Sequence, residues 1–469
     1  MKLFNFEEAL KLNIDEVKNL YKDYINPNQA SILSQFPFNK ELFARAEGVY
    51  LFTETNKKIL DFTGGIGVLG LGHNNKNILE TRIKFQKEKY IEIHKIYFSK
   101  YLAALSHNLA KLMPGDLDKT FLCNSGAEAV EGAIKIAYKF YKGKKKNIIY
   151  SDRSYHGKLI GSGSISGSYK KDLFPKLQNT QSFIFDDLDS LKIALEKNSQ
   201  NGETCCVVIE AFSASTLEKL SDQFVNGLIN LKKKYNFLII ADEVFMGFYK
   251  SKNIFYFLKY KDFIPDVVTI SKSFGGGKSS ISAYICKNEY YKKVYGNLSD
   301  AFLHTTTYNG FGEECATAIE ATYLFGSEEI KNNAKFISEY TSKKMNDLRE
   351  KNPGIISEVK GTGILNGIFF NTTVSKVSEF FDFTKIDFIT DRAAFAKKLY
   401  ALAVSFELYE KYDILTYINE TGKSNHLVVG IPLIAKKEQI DYFFSSIDKI
   451  LAEGLNLKML GIILNFLKS

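Results

Sequence analysis

The sequence predicts an α/β protein, with a large domain built on a mostly parallel sheet and a smaller α+β domain after it. Three observations carry this expectation. Short apolar runs rich in Val, Ile and aromatic residues alternate with helical patterns from about residue 120 to residue 287. Ser, Glu, Asp and Lys stand at the ends of four of those runs. From about residue 330 the pattern changes to helix, strands, helix. At 469 residues, 45% hydrophobic and 25% charged, the chain is long enough for about two or three domains.

Taken in order, residues 1 to about 45 have the pattern of a helical arm. GVYLFTETNKKILDFTGG, residues 48–65, predicts a hairpin with Thr55, Asn56 and Lys57 at its turn. TFLCN (120–124), NIIYSD (147–152), CCVVIEAF (205–212), FLIIADEV (237–244), DVVTISK (266–272) and SAYICK (282–287) have strand length. Continuous apolar runs of this kind suit strands covered on both faces. The expected division is an arm and part of the small domain at 1–60, the large domain at 61–330 and the C-terminal small domain at 331–469. No internal repeat or low-complexity linker interrupts it.

The composition excludes several function classes. The net charge of +9 comes from lysine, since the only arginines are Arg45, Arg82, Arg153, Arg349 and Arg392. The lysines are scattered, and a run such as KGKKK (142–146) suits a solvated helix end. No basic stripe with interleaved aromatics exists, so no nucleic-acid partner is expected. Cys123, Cys205, Cys206, Cys286 and Cys315 are odd in number and lack metal-ligand spacing. They fit reduced core thiols of a cytoplasmic protein, with no metal site. MKLFNFEEALKLNIDE carries acids in its apolar stretch and no cleavage pattern, so it is not expected to be a signal peptide. No apolar run approaches the ~20 residues of a membrane span, and no membrane contact is expected. The apolar tail LNLKMLGIILNFLKS (455–469) is expected to pack on the body, with surface or partner docking as the alternative.

The stretch SKSFGGGKSS, residues 271–280, holds two candidate lysines. A phosphate-binding loop around Lys278 would need a leading glycine at position 272, where the sequence has lysine, so that reading fails. The alternative is a reactive amine at Lys272 with a glycine turn behind it. In open α/β sheets ligands gather at the carboxyl ends of strands. Lys272 ends DVVTISK, Asp242 and Glu243 end FLIIADE, Glu210 ends CCVVIE, and Ser125 follows TFLCN. In NSGAEAVEGAIKIAYKFYKG (124–143), Ser125 and Glu128 have capping-box spacing, and Val130, Ala133, Ile134 and Ala137 make an apolar face. Gly126 and Ala127 leave the first-turn amides bare, which makes an anion site. A phosphate at 125–127, an aspartate at 242 and a lysine at 272 together suit pyridoxal 5'-phosphate. That cofactor condenses with a lysine and needs a carboxylate to keep its ring nitrogen protonated.

The sequence resembles the class III pyridoxal-phosphate-dependent aminotransferases, the family of the ornithine, acetylornithine and 4-aminobutyrate enzymes. The resemblance runs from about residue 45 to 435. It rests on GVYLFTETNKKILDFTGGIGVLGLGH, NSGAEAVEGAIKIA, YHGK, IADEVFMGF, PDVVTISKSFGGG, HTTTYNGF and VKGTGILNGIFF, in that order. It implies the aspartate-aminotransferase type I fold and a homodimer with shared active sites. It implies a PLP-dependent aminotransferase that moves an amino group from an amine or amino acid to an aldehyde or keto acceptor. By the same resemblance, Lys272 is the Schiff-base lysine and proton carrier, and Asp242 pairs with the pyridine nitrogen. Tyr155 and Val244 sandwich the ring, and Gly126 and Ala127 bind the phosphate with Ser125 nearby. Thr307 reaches the phosphate of the neighbouring subunit's cofactor, and Glu210 orients Asp242. His156 is expected to be a structural neighbour, and Lys278 a bystander. An aminomutase, racemase or decarboxylase of the same fold is the alternative chemistry, and a non-catalytic relative is a third.

Four positions depart from the family pattern. The family's DEVQTGFGR reads DEVFMGFYK, which puts Phe245 where a glutamine contacts the cofactor. EPIQGEGG reads EAFSASTL, so Ser215 replaces the second glutamate. Lys158 and Val428 stand where carboxylate-binding arginines are found. A lysine is a point charge, not a planar fork. The expected substrate is therefore an amine or aldehyde with an apolar or uncharged body.

Overall fold

The structure is a computed structural model that describes residues 3–92, 96–168, 175–200, 202–371, 392–421 and 424–454. The tail expected to pack on the body lies outside the described residues. Among the described residues, no helix is long and apolar enough to cross a membrane.

The large sheet has seven strands. In spatial order they are Leu117–Cys123, Ser282–Lys287, Val267–Ile270, Leu238–Asp242, Thr204–Ile209, Asn147–Ser151 and Thr180–Phe183. Six run in one direction, and Ser282–Lys287 alone runs antiparallel to both neighbours. The expected mostly parallel sheet is therefore present. Thr180–Phe183 was not anticipated, because TQSF is too short and too polar to signal a strand. Helices cover both faces. In Thr204–Ile209 and Leu238–Asp242 every residue is buried, which is why these strands appear in the sequence as unbroken apolar runs. Burying one such Val, Ile or Leu contributes about 2 kcal/mol.

The helix Gly126–Phe140 buries Val130, Ala133, Ile134 and Ala137, the expected apolar face, and Ala129 beside them. After it, Lys142 and Gly143 take left-handed conformations, and the Gly143 N–H donates to Tyr138 O at 3.0 Å.

The arm forms helices Ile14–Tyr24 and Pro27–Ser34, each capped by an asparagine side chain. The expected hairpin pairs Tyr50–Thr53 with Lys58–Asp61 about Asn56, and Phe43–Glu47 adds a third strand. Its last strand pairs in parallel with Ile414–Leu415, far away in sequence. Beyond helix Glu328–Lys351 a four-stranded antiparallel sheet orders Ile356–Thr362, Leu365–Phe370, Ser424–Gly430 and Tyr417–Thr421. Helices Arg392–Tyr412 and Lys437–Glu453 complete this region.

Candidate active site

Four parallel strands end on one cavity of about 660 Å³. Ser125, Gly126 and Ala127 reach it after Leu117–Cys123. Glu210 reaches it after Thr204–Ile209, Asp242 and Val244 at the end of Leu238–Asp242, and Lys272 after Val267–Ile270. Tyr155 and His156 enter from the segment after Asn147–Ser151. Eight of the nine expected cofactor-site residues thus share a single cavity. Thr307 does not. It is exposed and outside the cavity wall. Its neighbours tie that segment to the site's edge, with Thr306 Oγ1 donating to Asn124 Oδ1 at 3.3 Å and Asn124 Nδ2 donating to Tyr308 O at 3.1 Å. Lys278 is exposed and stands outside the wall, so the two lysines of SKSFGGGKSS are separated.

The helix start differs from the expected capping box. Ser125 Oγ accepts from the Glu128 N–H at 3.3 Å, but the Glu128 carboxylate accepts from the Asn124 N–H at 2.8 Å, not from that of Ser125. The turn out of the strand aims Asn124, one residue further back, at the first helical turn. No side chain among the described residues caps the Gly126 and Ala127 amides, so they remain available to an anion. A Cβ at Gly126 would lie 2.7 Å from Val244 Cγ1. Glycine there lets Val244 close against the helix start.

Asp242 is buried and held from behind by three donors. The Val244 N–H and Thr269 Oγ1 bond its Oδ1 at 2.9 and 3.1 Å, and His156 Nδ1 bonds its Oδ2 at 2.6 Å. Because a carboxylate only accepts, His156 is the Nδ1–H tautomer. An ionised carboxylate offers about four acceptor positions, so Asp242 can take one further donor. His156 is fully buried, its Nε2 has no partner among the described residues, and it acts as a holder of Asp242.

Glu210 does not orient Asp242 by a hydrogen bond. It accepts the Tyr155 N–H at 2.8 Å and so fixes the loop that carries the ring of Tyr155. Burial, with the Asp242 charge adding to it, holds the Glu210 carboxyl well above the usual carboxylate range.

Lys272 leaves its strand with φ of 50°. Its Nζ donates to Ile66 O at 3.3 Å and lies 4.5 Å from the centre of the Phe245 ring. Burial lowers its pKa, against the opposing pull of Asp242 and Glu210.

One residue that sequence reasoning passed over stands behind this site. Lys250 is fully buried, and its Nζ donates to Ser273 Oγ. Ser273 Oγ in turn donates to Gly67 O at 3.0 Å, which couples Lys250 to the turn that meets Lys272. The available signal was a lysine closing the otherwise apolar stretch VFMGFY. Burial pushes the Lys250 amine down to about 7, Lys272 adds to this, and Glu243 opposes it. Between about 7 and the ordinary value of 10.5 the unfolded chain therefore binds more protons than the folded one, and stability rises with pH. Lys250→Met loses this contribution. Urea midpoints measured across that window should move in favour of the wild type as pH rises. A constant difference between the two proteins would show that Lys250 does not titrate there.

The four departures also meet here: Lys158, Ser215, Phe245 and Val428 all line the same cavity. No arginine among the described residues does. Arg153, the nearest in sequence to the cavity residues, pairs with Glu218.

Residues 37–451 match the family model described as aminotransferase class-III. The chain belongs to the class-III aminotransferases. As a member of that family it is a PLP-dependent aminotransferase, with the type I fold that the sequence resemblance implied. An acetylornithine aminotransferase of Clostridium acetobutylicum is 30% identical over 380 residues, covering 79% of this chain and 93% of that one. The aminotransferase PigE of a Serratia species is 26% identical over 464 residues; this covers 92% of the chain but 53% of PigE. Among solved structures, an ornithine aminotransferase from Toxoplasma gondii superposes with a TM-score of 0.78 at 19% identity, covering 97% of this chain and 98% of that one.

Proposed function

We propose that the cavity at these strand ends is the transamination site of this class-III aminotransferase, with Lys272 as its catalytic amine and Asp242 as the partner of the cofactor ring. The observation that supports this most is the meeting, in one cavity, of a half-buried lysine, a buried aspartate with one acceptor position to spare and a helix start whose Gly126 and Ala127 amides no side chain among the described residues caps. These residues fit pyridoxal phosphate. The Gly126 and Ala127 amides and Ser125 would hold the phosphate. Tyr155, 38% exposed, and Val244 both line the cavity and would sandwich the ring, and Asp242 would accept the ring N–H. When bound, the cofactor supplies an aldehyde for the lysine amine and a protonated ring that stabilises negative charge at the reacting carbon.

The chain's own groups do the rest. Because burial lowers the pKa of Lys272, more of its Nζ is neutral and able to take the proton from the amine-bearing carbon of the donor. His156, Thr269 and the Val244 N–H keep Asp242 from turning away. Glu210 holds Tyr155 in place through its backbone.

The assembly belongs to the same proposal. Leu298, Phe302, Leu303 and Tyr308 are exposed apolar residues of the segment that carries Thr307, and Thr307 lies outside the wall of its own chain's cavity. In a homodimer this face would be covered and Thr307 would serve the partner's phosphate. Five buried free thiols fit a cytoplasmic enzyme.

The test is chemical. Borohydride reduction of the holoprotein followed by peptide mapping should place a phosphopyridoxyl group on Lys272 and leave Lys278 unmodified. Labelling at another lysine, or none, would overturn the assignment.

A further inference from the structure

We infer that Asn124 couples the two active sites of the dimer, so that filling one with cofactor favours filling the other. It joins the helix start that would hold one phosphate to the segment whose Thr307 would serve the other. The inference rests on the proposed pairing of Thr307 with the partner's phosphate.

The first observation is the position of Asn124. It links the strand Leu117–Cys123 to the helix Gly126–Phe140 and lines the cavity. Its backbone N–H donates to the Glu128 carboxylate at 2.8 Å, and the Glu128 N–H donates to Ser125 Oγ at 3.3 Å. These bonds tie Asn124 to the helical turn that carries the Gly126 and Ala127 amides. Its side chain reaches a segment more than 180 residues further along the chain. Oδ1 accepts from Thr306 Oγ1 at 3.3 Å, and Nδ2 donates to Tyr308 O at 3.1 Å. One amide thus holds both neighbours of Thr307. The grip needs an acceptor and a donor on one side chain, which an amide supplies and an alanine does not.

The second observation is that the same strand and helix carry the base of that segment. Lys139 pairs with Asp300 at 2.5 Å, and Lys135 Nζ donates to His304 Nδ1 at 2.9 Å. Burial, with the Lys135 charge adding to it, pushes His304 down to about 4, so its ring is neutral and can accept. Phe121 of the strand meets the His304 ring with centroids 4.8 Å apart. Beyond these anchors Thr305, Thr307 and Tyr308 are exposed and Thr306 is half-buried. Among the described residues, the hydrogen bonds that residues 305–308 make outside their own turn are the two to Asn124. Ordering a helix start around a phosphate therefore also orders, through Asn124, the Thr307 of the same chain, which serves the other site. The threonine that closes on that phosphate belongs to the second chain, and it orders that chain's helix start through the same amide. Both parts of the second site are then arranged before its cofactor arrives, and the ordering cost is not incurred again.

Pyridoxamine 5'-phosphate tests this, because its amine cannot condense with Lys272 and its binding is reversible. The full-length dimer, dialysed free of cofactor, is titrated, and binding is followed by cofactor fluorescence. The wild type should show about fivefold coupling between sites, which is a Hill coefficient of about 1.4. Asn124→Ala should bring the coefficient to 1 while the protein stays a dimer by light scattering. Thr306→Val breaks one of the two bonds from the segment side, leaves the helix start untouched and should lie between them. A merely structural Asn124 would weaken binding at both sites and leave the slope of the isotherm unchanged. That result, a wild-type coefficient of 1, or the full wild-type coefficient in Thr306→Val would overturn the coupling. Thr307→Ala separates this inference from the reading beneath it and should weaken binding about tenfold. Unchanged affinity in Thr307→Ala would overturn the pairing of Thr307 with the partner's phosphate, and the coupling with it. Weakened binding there beside a wild-type coefficient of 1 would overturn the coupling alone.

Discussion

Lys272→Ala should abolish turnover, with a fall of about 10⁴-fold or more in the rate of amine conversion. The size follows from what the side chain does. It is the half-buried amine of the cavity, and desolvation lowers its pKa so that its nitrogen can act as nucleophile and base. Charge alone does not replace it. Lys272→Arg keeps a cation but has no nitrogen that loses its proton near neutrality, so it should be as inactive as the alanine variant. Fold and assembly should survive both changes, because Lys272 makes one long hydrogen bond, to Ile66 O, and its φ of 50° already carries backbone strain. Near-normal melting with lost turnover is the expected signature, measured by calorimetry and single-turnover absorption. Retained turnover in Lys272→Arg would remove Lys272 from the role of base.

Asp242→Asn should lower turnover by about 10²- to 10³-fold, through loss of one preorganised charge in a buried site. Unlike the lysine change, it should also cost stability. Asp242 accepts from the Val244 N–H, Thr269 Oγ1 and His156 Nδ1, all at the end of a fully buried strand. An asparagine has one oxygen to offer where the aspartate has two. His156 Nδ1 is then left facing an amide N–H in a site where its Nε2 already lacks a partner. A buried donor left unsatisfied costs about 1–3 kcal/mol. Urea midpoints and single-turnover rates on the same preparations separate the two effects. Lost stability with unchanged turnover would reduce Asp242 to a structural cap for the strand.

The sequence by itself determined the layout of the site. Strands buried on both faces leave unbroken apolar runs, and a polar residue that ends such a run is placed at the sheet's edge by chain direction alone. That is why Ser125, Glu210, Asp242 and Lys272 could be assigned to one edge before any contact was known. The four departures were legible for the same reason, since Lys158, Ser215, Phe245 and Val428 lie within or beside recognisable segments.

Only the tertiary structure decided which partner each group finds. His156 holds Asp242 across 86 residues, Glu210 holds Tyr155 across 55, and Ile414–Leu415 joins the strand Lys58–Asp61. Periodicity reports which face of an element is apolar, but it carries no record of what meets that face. The burial of Lys250 and the position of Thr307 outside its own cavity follow from packing between distant segments. The physical reason is the range of the interactions. Propensity and hydrophobic pattern act over a few residues, whereas desolvation and hydrogen-bond pairing depend on whichever segments the fold brings together.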